Sequence, residues 1–164
     1  MPIAAVEVEF SLFETSILKN GVAEICAKLH IPIVAYSPLG RGILTGKITT
    51  AEDLPAPMRR LNKYQGEYLN HNLRFVKELQ KLVDKQKGTS LSILALSWVR
   101  QLSGRDGWGV FVPISGSTKA ENVRSNAQNM ELTDEDFNTI SELLKNIGTV
   151  GERGYGEQKK YLEG

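Results

Sequence analysis

Residues 36–42, which read YSPLGRG, combine an aromatic ring with a turn whose backbone is open to a ligand. An apolar run of strand length, IPIVA at 31–35, leads directly into this turn. Pro38 fixes one φ angle, and Gly40 and Gly42 leave backbone N–H groups uncovered by side chains. A flat ring beside free N–H groups suits a planar cofactor head that carries phosphates. An ordinary strand end with a surface turn is the simpler interpretation of this stretch alone.

A second polar stretch, SGSTK at 115–119, lies between an apolar run over 109–114 and a helix predicted over 120–128. The start of a helix offers free N–H groups and a positive dipole end to an anion. Two hydroxyls and a positive charge lie at the same place, in Ser117, Thr118 and Lys119. Asn122 and Asn126 are four residues apart and share a helix face, where an amide can pair with a purine edge. A capped helix with a polar surface explains these residues equally well.

The elements that position both stretches are strands joined by helical crossovers. Alternation in AAVEVEFSLF predicts a strand over 4–10, with Glu7 and Glu9 facing water in an open sheet or the lumen of a barrel. Water is the simpler expectation for both carboxylates. A helix over 20–30 and a strand over 31–36 follow, and this strand–helix–strand order predicts a parallel sheet. The apolar residues at helical spacing in that helix, expected in the core, are Val22, Ile25, Cys26 and Leu29.

The rest of the chain predicts further helices around one more strand. That strand covers 109–114, and helices are expected over 67–87, from Thr89 or Ser90 to 102 with Trp98 in the core, and from a Thr133 cap to 147. The long basic segment 48–66 suggests either a lid or a solvated loop. The glycine-rich tail over 148–164 is expected to be extended or partly disordered.

Composition limits the classes of function. A length of 164 residues with 41% hydrophobic and 24% charged residues is typical of one soluble domain. The net charge of +1 argues against a nucleic-acid or membrane partner, and the single cysteine excludes an internal disulfide and a cysteine-rich metal site. Neither a membrane-spanning run nor a signal-peptide pattern is present, so a cytoplasmic location is expected, with a nuclear one also open.

Seven segments together resemble the aldo-keto reductase family. They read VEVEFSLF, IPIVAYSPLGRGILTGK, MRR, LALSWV, VPISGSTKAENVRSN, LTDEDF and VGERGY, and they extend from about residue 3 to residue 155. AYSPLGRGILTGK followed by PISGS and two asparagines is the most specific combination. Within the family, EVEFSLF and SGSTK are most similar to fungal pyridoxal reductases.

This resemblance implies an α/β fold, the C-terminal part of a (β/α)8 TIM barrel. Its last three strands would be the parallel strands at 4–10, 31–36 and 109–114, and ligands of such barrels bind at the C-terminal strand ends. Residues 1–155 would form a partial aldo-keto reductase domain and 156–164 a polar tail. NADPH is the implied cofactor, and a small aldehyde or ketone similar to pyridoxal is the implied substrate of the full-length form.

The resemblance also assigns cofactor contacts. Tyr36 would stack on the nicotinamide, and Glu7 lies where many members use a glutamine to contact the carboxamide. The pyrophosphate turn corresponds to Ser37, Leu39, Gly40 and Arg41, over which Lys47 and Arg59 would close. The loop near the 2′-phosphate comprises Gly116, Ser117, Thr118 and Lys119, with Asn122 where many members have an arginine. Asn126 would bind the adenine.

The resemblance places no catalytic residue in this chain. The family's general-acid tyrosine and its supporting lysine, aspartate and histidine come from the first four strands, which would precede MPIAAVEVEFS. We therefore expect a truncated reductase that carries most of the cofactor site, with open barrel edges that favour self-association. The alternatives are a non-catalytic NADPH-binding or regulatory module, as in potassium-channel beta subunits, and an inactive truncated product.

Overall fold

The computed structural model describes residues 2–85, 88–152 and 154. Within these residues, one sheet contains β1 (Val6–Glu9), β2 (Ile33–Tyr36) and β3 (Phe111–Ile114). The α-helices are α1 (Val22–Lys28), α2 (Gly66–Asp84), α3 (Leu91–Gln101), α4 (Ala120–Asn126) and α5 (Asp134–Asn146). The predicted boundary between domain and tail, at residues 155–156, lies outside the described residues.

The sheet is parallel, as the strand–helix–strand pattern predicted, and its strand order is β1-β2-β3. Each strand is shorter than predicted, because pairing is limited to four residues on each strand. The register aligns Glu9 with Tyr36 and Tyr36 with Ile114, so the three strands end in one row. The loops that follow β2 and β3 therefore leave the sheet side by side, at the C-terminal ends of the strands.

The two faces of the sheet have different surroundings. Ile33 and Ala35 are fully buried and Phe111 is 3% exposed, whereas Val112 and Ile114 on the other face are 43% and 45% exposed. The buried face meets a core in which the rings of Phe10 and Trp98 stack with centroids 5.5 Å apart, and the core prediction for Trp98 is confirmed. Parallel sheets are usually covered on both faces, so an exposed face is what part of a closed barrel presents.

Helix α1 buries a different stripe from the predicted one. Cys26 is buried as expected, with Ala23 beside it, but Ile25 and Leu29 are 51% and 60% exposed, so the prediction was wrong for these two side chains. Small residues let α1 lie close to the backbone that precedes β3. A Cβ added at Gly109 would lie only 3.4 Å from the Cα of Ala27 on this helix. Burial raises the pKa of the Cys26 thiol, in keeping with a packing role.

The segment 48–65 is packed onto the domain. It contains three short 3-10 turns, at Ala51–Asp53, Met58–Arg60 and Asn62–Tyr64. Lys63 is 4% exposed, with its Nζ 5.8 Å from the centroid of the Phe13 ring. The solvated-loop interpretation is therefore wrong for this lysine, whose ammonium group lies over the ring of an aromatic neighbour.

Residues 148–152, which we call the C-terminal strap, are held by hydrogen bonds from side chains. The buried amide of Asn72 donates to the Lys63 and Val150 carbonyls at 2.8 and 2.9 Å, and its oxygen accepts from the Val150 N–H at 2.9 Å. Glu152 N–H donates to Asn62 Oδ1 at 2.7 Å. This part of the glycine-rich tail is therefore anchored, contrary to the sequence-based expectation, because distant asparagines satisfy its backbone.

The predicted helix starts are confirmed at α3 and α5. Ser90 Oγ accepts from the Ile93 N–H at 3.3 Å, and Thr133 forms a reciprocal capping box with Asp136.

Within the described residues, no helix combines the length and apolar character needed to cross a membrane.

Candidate cofactor site

A cavity of about 580 Å³ lies between the loops that follow β2 and β3. Parallel neighbouring strands bring their C-terminal ends together, so residues some eighty positions apart meet here. The cavity is lined by eight of the predicted cofactor residues: Ser37, Leu39, Arg41, Lys47, Gly116, Ser117, Asn122 and Asn126.

The turn over 37–42 has an unusual backbone. Positive φ angles occur at Ser37 (50°), Gly40 (56°), Arg41 (57°) and Gly42 (99°). Gly40 N–H donates to the Ser37 carbonyl at 2.8 Å. The left-handed region is unfavourable for a residue with a Cβ, so Ser37 and Arg41 are held there by their surroundings. Such strain recurs at ligand-binding turns.

Two side chains from outside the turn fix its carbonyl groups. The buried Tyr64 hydroxyl donates to the Gly40 carbonyl at 3.1 Å, and Thr45 Oγ1 donates to the Gly42 carbonyl at 2.6 Å. A Cβ at Gly40 would lie 3.1 Å from the Cβ of Phe13, so the backbone presses directly on the core there. The turn is thus preorganised by the core beneath it.

Glu9 lies beneath this turn and corrects a sequence-based expectation. The sequence favoured a water-facing carboxylate, but Glu9 is 5% exposed, and its Oε2 accepts from Arg41 Nη2 at 3.2 Å. Glu9 ends β1 in the same row as Tyr36, where the following turn folds over it. The alternating pattern correctly placed Glu9 on the face opposite Val8, but a strand pattern carries no signal for a distant arginine.

The opposite wall of the cavity is formed by β3, α4 and the loop between them. Ser117 Oγ accepts from the Lys119 N–H at 3.1 Å, and Asn126 Nδ2 donates to Ser115 Oγ at 3.2 Å. Arg100 donates from its guanidinium to the Asn126 and Gln128 carbonyls, which ties the end of α4 to α3. Partial burial lowers the pKa of the Arg100 guanidinium.

Six predicted cofactor residues are absent from the described lining of this cavity: Glu7, Tyr36, Gly40, Arg59, Thr118 and Lys119. Glu7 is exposed on the open sheet face, while Tyr36 is half-buried between Glu9 and Ile114 in the strand-end row.

The other four have different surroundings. Gly40 is a buried residue of the turn itself. Arg59 donates to the Leu54 and Glu52 carbonyls at 2.8 and 2.7 Å, so its guanidinium stabilises its own loop. Thr118 and Lys119 are exposed beside α4.

Sequence reasoning missed the contribution of α3 to the lining. Ser90 and Ser92, at the start of that helix, and Thr45 line the cavity. A helix cap was the only role that the sequence suggested for Ser90, because proximity to the β3 loop is a property of the fold. Thr45 belongs to the motif AYSPLGRGILTGK. Its position three residues after Gly42 was the signal that could have identified it as a hydroxyl beside the turn.

The donors in this cavity fit an anionic, planar ligand. Arg41 and Lys47 supply positive charge, and hydroxyls and amides supply neutral hydrogen bonds. Among the lining residues that the structure describes there is no carboxylate and no histidine. The part of the chain that the structure describes contains no cluster of histidine, cysteine and acidic side chains suited to a metal. The set therefore suits phosphate and nucleotide chemistry.

Comparison with known proteins agrees with this fold. A protein named "Putative pyridoxal reductase" from Saccharomyces cerevisiae is 39% identical over 165 residues, which cover 92% of this chain and 47% of the relative. The aldo-keto reductase yakc [NADP(+)] of Schizosaccharomyces pombe is 32% identical over 158 residues, covering 93% and 45%. The solved structure of a glycerol dehydrogenase from Gluconobacter oxydans superimposes with a TM-score of 0.75 at 25% identity, covering 95% and 47%.

The chain spans about half the length of these relatives. The fold is accordingly α/β, with the parallel strands and helices of a partial TIM barrel. Residues 1–145 match the profile of the aldo/keto reductase family, and the chain belongs to that family.

Proposed function

We propose that this chain binds NADPH in the cavity between the β2 and β3 loops. The observation that carries the proposal is the convergence of the strained 37–42 turn and the polar β3–α4 loop on one cavity of about 580 Å³. That volume lies within the range of cofactor sites, and the lining combines positive charge with hydroxyl and amide groups. A relative at 32% identity carries NADP(+) in its name.

Under this proposal each wall holds a different part of the cofactor. The turn residues Ser37, Leu39 and Arg41, with Lys47, hold the pyrophosphate. The loop at Gly116–Ser117 and the exposed Thr118 and Lys119 hold the 2′-phosphate, and the α4 amides of Asn122 and Asn126 hold the adenine. Tyr36 stacks on the nicotinamide from the strand-end row, with Glu7 two positions before that row on β1.

Binding is tested by titrating the 164-residue chain with NADPH and with NADH, following nucleotide fluorescence and the quenching of Trp98 and Trp108. We expect saturable micromolar binding that favours NADPH. Lys47→Ala should weaken both nucleotides, whereas Lys81→Ala, which removes an exposed lysine on α2, should weaken neither. Ser117→Asp should weaken NADPH more than NADH, because its carboxylate would repel the 2′-phosphate. Absence of binding to either nucleotide would refute the proposal.

We propose further that the family's carbonyl reduction is the activity of the full-length form, with a pyridoxal-like aldehyde or ketone as substrate. NADPH, when bound, would supply the hydride to the carbonyl carbon. This chain's residues would bind and orient the NADPH. A general acid must also protonate the carbonyl oxygen. Neither described histidine lines the cavity; His71, for example, contacts the Ile147 carbonyl and Arg74. We therefore infer that the described residues bind the cofactor without supplying the acid.

A non-catalytic nucleotide-binding module is the second candidate. The described lining favours it, because the residues in it offer groups for binding and include none of the usual acid–base pairs. Mixing the chain with NADPH and pyridoxal while following absorbance at the nicotinamide band separates the candidates. Reduction at an ordinary enzymatic rate would contradict our assignment of the catalytic acid to residues outside this chain.

We also propose that two copies of the chain associate through the open edge of the partial barrel at β3. Val112 at 43% exposure and Ile114 at 45% form an apolar strip on the strand at one edge of the sheet. Val112→Lys should shift sedimentation toward the monomer, whereas Val123→Lys, at an exposed valine on α4, should not. A wild-type chain that stays monomeric at all concentrations would exclude this association.

A further inference from the structure

We propose that Glu9 is a positioning residue that holds Arg41 at the cavity and thereby sets the affinity for the dinucleotide phosphates. This inference rests on the proposed function and adds to it a residue from β1, a strand that contributes nothing to the described lining of the cavity.

The first argument is the burial of Glu9. A carboxylate that is 5% exposed loses most of its hydration and needs charged or hydrogen-bonding partners. Arg41 supplies one, with Nη2 at 3.2 Å from Oε2, across 32 positions of sequence. Because Glu9 ends a strand of the sheet, its carboxylate is a fixed point against which a turn residue can be held.

The second argument is the backbone of Arg41. Its φ of 57° and ψ of 31° lie in the left-handed region between two glycines that share positive φ angles. The backbone conformation of three consecutive residues with positive φ angles does not by itself fix the side chain of the middle residue. The contact with Glu9 fixes the Arg41 side chain, because the Glu9 carboxylate directs it back across the turn.

The third argument is the number of donors on a guanidinium. Arginine has five N–H donors in a planar fork, and the contact with Glu9 uses the Nη2 group. Arg41 lines the cavity with its side chain 25% exposed, so the rest of the fork is available to a phosphate. Glu9 therefore orients the fork, as a buried outer partner orients a metal-binding histidine.

Orientation and competition predict opposite effects of removing the carboxylate. If Glu9 competed with phosphate for Arg41, its loss would strengthen nucleotide binding. The burial of Glu9 favours orientation, because a carboxylate shielded from water keeps its partner when an anion arrives. Glu9→Gln should therefore weaken NADPH binding by about tenfold, the loss of one charge-assisted hydrogen bond.

A readout without nucleotide tests the contact itself. Limited trypsin digestion of the folded chain, followed by mass spectrometry, measures cleavage after Arg41 relative to cleavage after Lys81 within α2. Glu9→Gln should raise this ratio at least about threefold, because an arginine released from its partner enters the protease more readily. Glu24→Gln, which removes a carboxylate from the exposed Glu24–Lys28 pair, should leave the ratio unchanged. The Lys81 reference corrects for any general loss of stability.

A double-mutant cycle tests the link to binding. Glu9→Gln should weaken NADPH binding in the wild-type background and have no further effect in an Arg41→Gln background. A structural role independent of Arg41 would weaken binding equally in both backgrounds and overturn the inference, as would tighter binding by Glu9→Gln. If the wild-type chain bound no nucleotide while the trypsin ratio rose as expected, the proposed function would fail and Glu9 would hold Arg41 for another purpose. An unchanged trypsin ratio would overturn the positioning role directly.

Discussion

Asn72 gives the sharpest test of how the chain is held together. Asn72→Ala removes a fully buried amide that makes three hydrogen bonds, to the Lys63 carbonyl and to both backbone groups of Val150. At about 1 kcal/mol net for each hydrogen bond, the change should lower the free energy of unfolding by about 3 kcal/mol. For a chain of this length that corresponds to a fall in melting temperature of roughly 6–12 °C.

Urea denaturation followed by circular dichroism measures this change directly. The matched control is Asn70→Ala, at an exposed position two residues earlier in α2, which should alter stability by no more than about 0.5 kcal/mol. A loss below about 1 kcal/mol for Asn72→Ala would refute the reasoning, because it would mean that the C-terminal strap adds little to the stability of the domain.

The remaining predictions concern local geometry. Gly40→Ala should destabilise more than Gly88→Ala in urea melts, because both have positive φ but only the former Cβ meets the core, 3.1 Å from Phe13 Cβ. Thr133→Ala should lower the free energy of unfolding by about 1 kcal/mol through loss of the α5 capping box, whereas Thr118→Ala, outside any such box, should not. Hydrogen bonds from the Thr49 and Thr50 backbone lower the pKa of Asp53 to about 2, from 3.8. Stability from Asp53 should therefore be complete above about pH 4 and lost toward pH 2, and Asp53→Asn should flatten the melting temperature over that range.

Features set by local chemistry were predictable from the sequence. The Ser90 and Thr133 caps, the burial of Trp98 and the parallel pairing of β1 with β2 each follow from residues close together in the chain. Capping needs an oxygen three residues before a free N–H group, and a crossover helix needs only length and periodicity. The two loops that form the cavity were likewise predictable, because neighbouring parallel strands end at the same edge.

Features set by contacts between distant segments were not predictable. Helix α1 buries Ala23 and Cys26 in place of Ile25 and Leu29, and its Ala27 lies beside Gly109, more than eighty residues away. Lys63 is buried beside Phe13, and the C-terminal strap depends on Asn72 in another helix. The hydrophobicity pattern of a helix indicates that one face is apolar. It does not show which residues the neighbouring segment places against that face.

Glu7 and Glu9 show how finely such a site depends on register. Both alternate onto the same face of β1, and the sequence offered no reason to separate them. The register places Glu7 opposite Val34 and Val112, and Glu9 two positions further, opposite Tyr36 where β2 ends. A difference of two residues along one strand thus separates an exposed carboxylate from a buried one that contacts Arg41. Because strand ends are the least predictable part of a fold from sequence, the residue nearest the edge is the one whose role needs the structure.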